Sequence, residues 1–226
     1  MQIAPRIPAA LIVSCCFASL LPSALASESL STGSGGADDR GWIDIQPAPD
    51  LKGWTRVPIP ETNHLGRAQW HVDRAAGVLV CDGDGGHDML RFDEELTNCT
   101  FHVEFRFSPA SGAKAGYNSG VFIRNSADGR IWHQAQLTPD GGFLFGMTPV
   151  EGRLKWVKLP PAEERMKPAG EWNTMDLTAR GETLSVRLNG AVTCTWTNCA
   201  VPKGYIALEA EGHRVEFRNL KLKELN

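Results

Sequence analysis

The run Cys99-Thr100-Phe101-His102-Val103-Glu104-Phe105-Arg106-Phe107 alternates apolar and polar residues over nine positions without a break. Successive side chains of an extended chain point to opposite faces, so Cys99, Phe101, Val103, Phe105 and Phe107 share one side. Thr100, His102, Glu104 and Arg106 share the other. A helix would scatter these residues around its axis. The run is therefore a half-buried strand whose apolar face is core. Its polar face is either solvated or the lining of a cleft, and on the second alternative Glu104 contacts a ligand.

Working outward, the same short alternating pattern recurs between turn signals. Residues 68–72 and 78–81 read as strands around a turn at 74–77, and 141–147 and 154–158 as two shorter strands. Residues 171–180 alternate again. Residues 184–196 form a hairpin around Asn189-Gly190, a pair whose readiness for positive φ suits a two-residue turn. The final strands, 205–211 and 214–222, flank Gly212-His213. The connection at 160–168 lies between prolines and has room for one helical turn at most. With 23 glycines and 14 prolines in 226 residues, the chain reads as all-β, a sandwich or barrel, rather than helical.

A net charge of -3, with no basic run interleaved with aromatics, excludes a nucleic-acid partner. No stretch after the leader is long and apolar enough to span a bilayer. Residues 1–26 have the form of a signal peptide: Arg6, an apolar run, and Ala24-Leu25-Ala26 as a small-x-small cleavage site. An exported, periplasmic or extracellular protein is expected. A lipobox-like Ile12-Val13-Ser14-Cys15 is the secondary alternative, with Cys15 as a lipidated anchor. Residues 27–40, rich in Ser, Gly and Asp, read as a flexible linker, and residues 41–226 as the folded domain. Four cysteines follow the leader: Cys81, Cys99, Cys194 and Cys199. They allow three disulfide pairings. The spacing permits a local Cys194–Cys199 bridge, with Cys81–Cys99 as the other. The acid-glycine run 82–86 lacks the spacing of a calcium loop and reads as a turn. His64 and His71 read as surface residues.

Functional chemistry concentrates in two places. In the first, Asn118-Ser119-Gly120 supplies a turn, and Val121 and Ile123 then alternate with Phe122 and Arg124. If Val121 and Ile123 enter the core, Arg124 lies on the wet face. On the following strand Trp132, Gln134 and Gln136 share a face. One guanidinium, two amides and an aromatic plate suit a small polar ligand. In the second, Glu209 and Glu211 project from the same strand face, about 7 Å apart at the backbone. In a cleft, such a pair raises one carboxyl pKa and creates a candidate base.

Read in order, Asn118-Ser119-Gly120-Val121-Phe122-Ile123-Arg124, Gln136, Glu171-Trp172-Asn173, Leu188-Asn189-Gly190, Leu208 with Glu211-Gly212, and Val215-Glu216-Phe217-Arg218-Asn219-Leu220 resemble the 3-keto-disaccharide hydrolase family over residues 41–226. The resemblance implies a concanavalin A-like jelly-roll sandwich of two antiparallel sheets, with a site on its concave face. It also implies an enzyme whose partner is an oxidised (3-keto) oligosaccharide or glycoside. In that chemistry a base removes the acidified C2 proton, the C1 substituent leaves by β-elimination, and water adds to the enone.

On this resemblance Glu211 or Glu209 is the base, and Arg124 with Gln136 holds the enolate. His213 or His133 assists the leaving group. Trp132 or Tyr117 stacks on a sugar ring. Glu209, Gln134, His133, Asn118, Tyr117 and Glu104 complete the expected substrate contacts. Many relatives carry Gln where Glu209 stands and Glu where Gln134 stands, so an acid has moved between strands. No cofactor is implied with certainty; a divalent metal is compatible with the chemistry, but the sequence shows no convincing ligand set. Trp172 reads as a buried aromatic, and Arg218-Asn219 as a fold-closing hydrogen-bond pair. The competing function is a non-catalytic carbohydrate-binding module on the same sandwich. A retaining glycosidase of laminarinase type is disfavoured, because its ExDxxE strand is absent.

Overall fold

The computed structural model describes residues 41–59, 64–109 and 117–226. The expected leader and linker, residues 1–40 with Cys15, lie outside the described residues, as does Gly116. Fifteen strands follow in order: β1 (Ile43–Asp44), β2 (Trp54–Pro58), β3 (Trp70–Asp73), β4 (Val78–Cys81), β5 (Asp88–Phe92), β6 (Cys99–Phe107), β7 (Gly120–Asn125), β8 (Trp132–Gln136), β9 (Leu144–Val150), β10 (Arg153–Leu159), β11 (Asn173–Arg180), β12 (Thr183–Leu188), β13 (Ala191–Trp196), β14 (Tyr205–Ala210) and β15 (Val215–Glu224). Among the described residues there is no helix, and the 160–168 connection is irregular.

The strands form two antiparallel sheets. The back sheet runs β13-β12-β11-β6-β15-β4-β3, with β1 also pairing β15. The front sheet runs β10-β9-β8-β7-β14-β5-β2. Their inner faces share one core. From the back come Phe101, Val103, Phe105 and Phe217; from the front come Leu90, Val121, Leu144, Ile206 and Leu208, all fully buried. The fold is therefore the jelly-roll sandwich that the alternation and the family resemblance imply.

Asn189 and Gly190 both adopt positive φ, 48° and 90°, and join β12 to β13 as a tight hairpin. The two C-terminal strands behave differently. β14 lies in the front sheet and β15 in the back, so they do not pair with each other. Each carries an apolar face, and those faces meet across the core instead.

Two β-bulges redirect side chains. In β15 the register shifts between Arg218 and Lys221, and Asn219 takes φ 55°. The extra residue lets Leu220 and Leu222 follow Val215 and Phe217 into the core, although the interval breaks strict alternation. In β7 the register against β14 shifts between Tyr205 and Ala207, and Arg124 takes φ 53°. That bulge turns Arg124 inward.

The four described cysteines are free, buried thiols, which overturns the expected disulfides. The Cys194 thiol donates to the Leu159 carbonyl, and the Cys199 Sγ lies 3.5 Å from His133 Nε2. Burial pushes the Cys81 thiol up to about 12 and the Cys99 thiol up to about 11. Spacing permitted a bridge; the strand geometry assigns these side chains to packing.

Candidate functional site

The outer face of the front sheet is hollowed into a cleft of about 410 Å³. Alternation fills it from several strands. Phe122 of β7, Trp132, Gln134 and Gln136 of β8, Phe145 of β9 and Glu209 of β14 point outward while their neighbours enter the core. Asn118, His87, Met89, Trp156 and Glu211 complete most of the lining. Among the described residues lining it there is no Lys or Arg.

One wall is aromatic. Trp132 meets Phe145 and Trp156 edge-on, with ring centroids 5.1 and 5.4 Å apart. Trp156, on the edge strand β10, is 57 % exposed. Exposed indole faces beside polar groups suit the apolar faces of sugar rings.

The floor is a hydrogen-bond chain. Gln136 Nε2 donates to Asn118 Oδ1, and Gln134 Nε2 donates both to Gln136 Oε1 at 3.2 Å and to Glu209 Oε2 at 2.7 Å. β8 and β14 both flank β7, and Gly120 of β7 lies beneath Gln134. A Cβ at Gly120 would stand 2.1 Å from Gln134 Nε2, so only glycine leaves room for this contact. Gln134 and Glu209 are thus the two ends of one hydrogen bond across Gly120, and the Glu209 carboxylate lies in the cleft.

The other side carries the charge. Glu209 is 3 % exposed, and its Oε1 lies 2.9 Å from His87 Nε2. Glu211 Oε2 lies 4.0 Å from the same nitrogen. One donor atom from each of His87, Glu209 and Glu211 can be chosen so that all lie within 4.8 Å of one another. Burial, together with the neighbouring Glu209 charge, raises the Glu211 pKa above the usual carboxylate range, and His87 opposes that shift.

His87 was not singled out in the sequence. It follows the acid-glycine loop at 82–86 and immediately precedes β5. The loop's packing explains its glycines. A Cβ on Gly85 would come within 2.5 Å of the Arg67 carbonyl oxygen. Gln69 Oε1 accepts the Gly85 N–H at 2.9 Å, and Gln69 Nε2 donates to the Gly86 carbonyl at 2.9 Å. The adjacent Asp88, 1 % exposed, accepts from Arg56 Nε at 3.1 Å, Gln69 Nε2 at 2.9 Å and Trp70 Nε1 at 2.8 Å. These bonds tie β5 and its loop to both sheets and hold His87 over Glu209.

Of the residues expected at the site, the cleft brings together Glu211, Glu209, Gln136, Gln134, Trp132 and Asn118. The others lie elsewhere. Arg124 is 1 % exposed and its Nη1 donates to the carbonyls of Gly181 at 2.6 Å and Val201 at 2.8 Å. It clamps loops at one end of the sandwich, because the β7 bulge reverses its expected direction. His133 follows Ala135 and Leu137 inward, where Thr148 Oγ1 and the Ile123 carbonyl oxygen lie within hydrogen-bonding distance of its ring nitrogens. Burial pushes its pKa down to about 4. Tyr117 stacks on Phe107, with centroids 5.0 Å apart. His213 turns back to the Glu211 carbonyl oxygen and does not line the cleft.

Glu104 points outward from the back sheet. It accepts from Arg218 Nε at 2.8 Å and Asn219 Nδ2 at 3.1 Å, in keeping with a fold-closing role for that pair. Trp172 is half-buried on the same outer face, with the guanidinium carbons of Arg106 and Arg218 at 4.6 and 3.9 Å from its ring.

Residues 41–223 match the family model described as a 3-keto-alpha-glucoside-1,2-lyase-like domain. Among curated proteins, no sequence matches this chain. Solved structures with the same fold include the carbohydrate-binding module CBM66 from Bacillus subtilis (13 % identity, TM-score 0.56, covering 76 % of this chain and 96 % of that one). A candidate glycosyl hydrolase from Parabacteroides distasonis is similar at 17 % identity and TM-score 0.57, covering 83 % and 95 %. A galectin-like protein of unknown function from Bacillus subtilis is similar at 12 % identity and TM-score 0.52, covering 80 % and 93 %. At these identities the structures speak to the fold alone. The family match spans most of the chain, and the chain belongs to the 3-keto-alpha-glucoside-1,2-lyase-like family.

Proposed function

We propose that the protein cleaves glycosides whose sugar carries a ketone at C3, by elimination and hydration. The observation that carries this reading is the placement of Glu211, a half-exposed carboxylate with a raised pKa, on the wall of a cleft lined by amides and aromatics. Glu209 is 3 % exposed and held by His87 and Gln134, which leaves Glu211 as the accessible carboxylate of the pair. A single base beside a sugar-sized cleft fits elimination. Glu211 accepts the C2 proton, and the C–H electron pair forms the enolate between C2 and C3. The C1–O bond then breaks, the departing oxygen takes a proton, and water adds to the C1–C2 double bond. Asn118, Gln134 and Gln136 hydrogen-bond sugar hydroxyls, and Trp132 and Trp156 stack against a ring. The leader expected at residues 1–26 would carry this activity out of the cytoplasm.

The exposed Trp156 favours one further reading, a binding module that uses the aromatic wall without chemistry. Incubation with a 3-keto-disaccharide and with its unoxidised parent separates the two. Release of the second sugar from the keto form alone is expected. Saturable binding of both compounds without turnover of either would establish the binding module instead.

A further inference from the structure

We infer that His87, Glu209 and Glu211 form a binding site for one divalent transition-metal ion that opens into the cleft. The three come from two segments far apart in sequence, and their donor atoms converge within 4.8 Å. Metal–ligand bonds of about 2.1 Å at right angles place neighbouring donors about 3.0 Å apart. His87 Nε2 and Glu209 Oε1 already stand 2.9 Å apart, and Glu211 Oε2 lies 4.0 Å from that nitrogen. A small rotation of the half-exposed Glu211 side chain brings the third donor into place.

The surroundings are those of a supported ligand set. Gln134 Nε2 holds the far oxygen of Glu209 at 2.7 Å, and Gln136 holds Gln134 in turn. Hydrogen bonds of this kind orient a coordinating carboxylate. The Ser119 hydroxyl donates to the Glu209 carbonyl at 2.8 Å and fixes the backbone below. On the histidine side, the Gln69 and Asp88 network immobilises the loop that delivers His87. One imidazole with two carboxylates suits Mn2+, Fe2+, Co2+ or Zn2+, whereas Ca2+ calls for six to eight oxygens.

The site also supplies what the cleft otherwise lacks. Arg124 is turned away, and no Lys or Arg is among the described lining residues. A metal ion beside Glu211 would face the 3-keto oxygen and balance the enolate charge, while the second oxygen of Glu211 accepts the C2 proton. This role, though not the site itself, rests on the function proposed above.

The test is titration of the chelator-treated, dialysed protein with Mn2+, followed by paramagnetic resonance and calorimetry. Saturable binding of one Mn2+ per chain is expected, with affinity reduced at least about tenfold in His87→Gln and in Glu209→Gln. Circular dichroism of each variant excludes misfolding as the cause. A rise in Tm with Mn2+ that His87→Gln abolishes is the second expected readout. No saturable uptake of Mn2+, Co2+ or Zn2+ by the wild type, or uptake that His87→Gln leaves unchanged, overturns the site. Binding without cleavage of any 3-keto glycoside leaves the site standing and removes the functional reading. Cleavage by a protein that binds no metal does the reverse.

Discussion

The outer faces of the two sheets carry similar polar clusters with different consequences. On the back face His102 Nδ1 lies 2.7 Å from Asp176 Oδ1, and Glu104 is held by Arg218 and Asn219. Desolvation pushes the Glu104 pKa up, but the Arg218 and Asn219 hydrogen bonds outweigh it and hold the carboxyl below its usual range. On the front face His87, Glu209 and Glu211 also gather, but no arginine lines the cleft around them among the described residues. There burial and a like charge dominate, and the Glu211 pKa rises. Imidazole and carboxylates are present in both places. What separates them is charge compensation: a guanidinium group holds Glu104 behind, whereas Glu211 in front has no such partner lining the cleft among the described residues and keeps its proton more readily.

The most severe test of this contrast is a pair of conservative substitutions. Glu211→Gln should lower the rate of 3-keto-glycoside cleavage at least about 100-fold, the scale of a lost general base. Glu104→Gln should change it less than about twofold, because the residue stands on the other sheet. Equal losses in initial-rate assays would erase the distinction between the faces.

Arg124 sharpens the comparison from a third location. Arg124→Met leaves the Gly181 and Val201 carbonyls, whose bonds to it are both part-buried, without their donor, at roughly 1–2 kcal/mol each. Urea unfolding should show a loss of about 3 kcal/mol, with KM for the keto substrate little changed in the folded fraction. A variant of full stability and no activity would return Arg124 to the chemistry.

The histidine between the sheets gives a pH signature distinct from either outer face. The His133 pKa is about 4 in the folded protein and 6.5 in the reference state, so the unfolded chain binds a proton that the folded chain refuses. Its contribution is complete above pH 6.5 and is lost as pH falls towards 4, amounting to about 3 kcal/mol over the full window. Urea midpoints measured between pH 7 and 5 should fall in the wild type and less steeply in His133→Gln. Identical slopes would contradict a buried neutral imidazole.

The smallest expected effect is none. With Cys81, Cys99, Cys194 and Cys199 unpaired, a reductant should leave Tm unchanged, and a drop would mean that a bridge forms.

Much of the fold was legible because it rests on period-two alternation. The β6 run, the β12–β13 hairpin and the facing of Glu209 and Glu211 all follow from which side of a strand a residue occupies. That rule fails wherever an extra residue enters a strand. Arg124 was assigned to the wet face by counting, and the β7 bulge reversed it. Glu104 was placed on the correct side of its strand, but alternation does not say which sheet faces the cleft. His87 escaped notice because it belongs to a loop, where no periodicity exists to read.

By itself, the sequence determined the all-β class, most of the strands and one carboxylate pair through local alternation and turn chemistry, and the family through the order of its short motifs. Only the tertiary structure decided that Gln134 meets Glu209 across a glycine, that His87 joins Glu209 and Glu211, and that Arg124 leaves the site. Those contacts join residues as much as 122 positions apart. They are set by strand order and bulges, which arise from packing the whole sandwich.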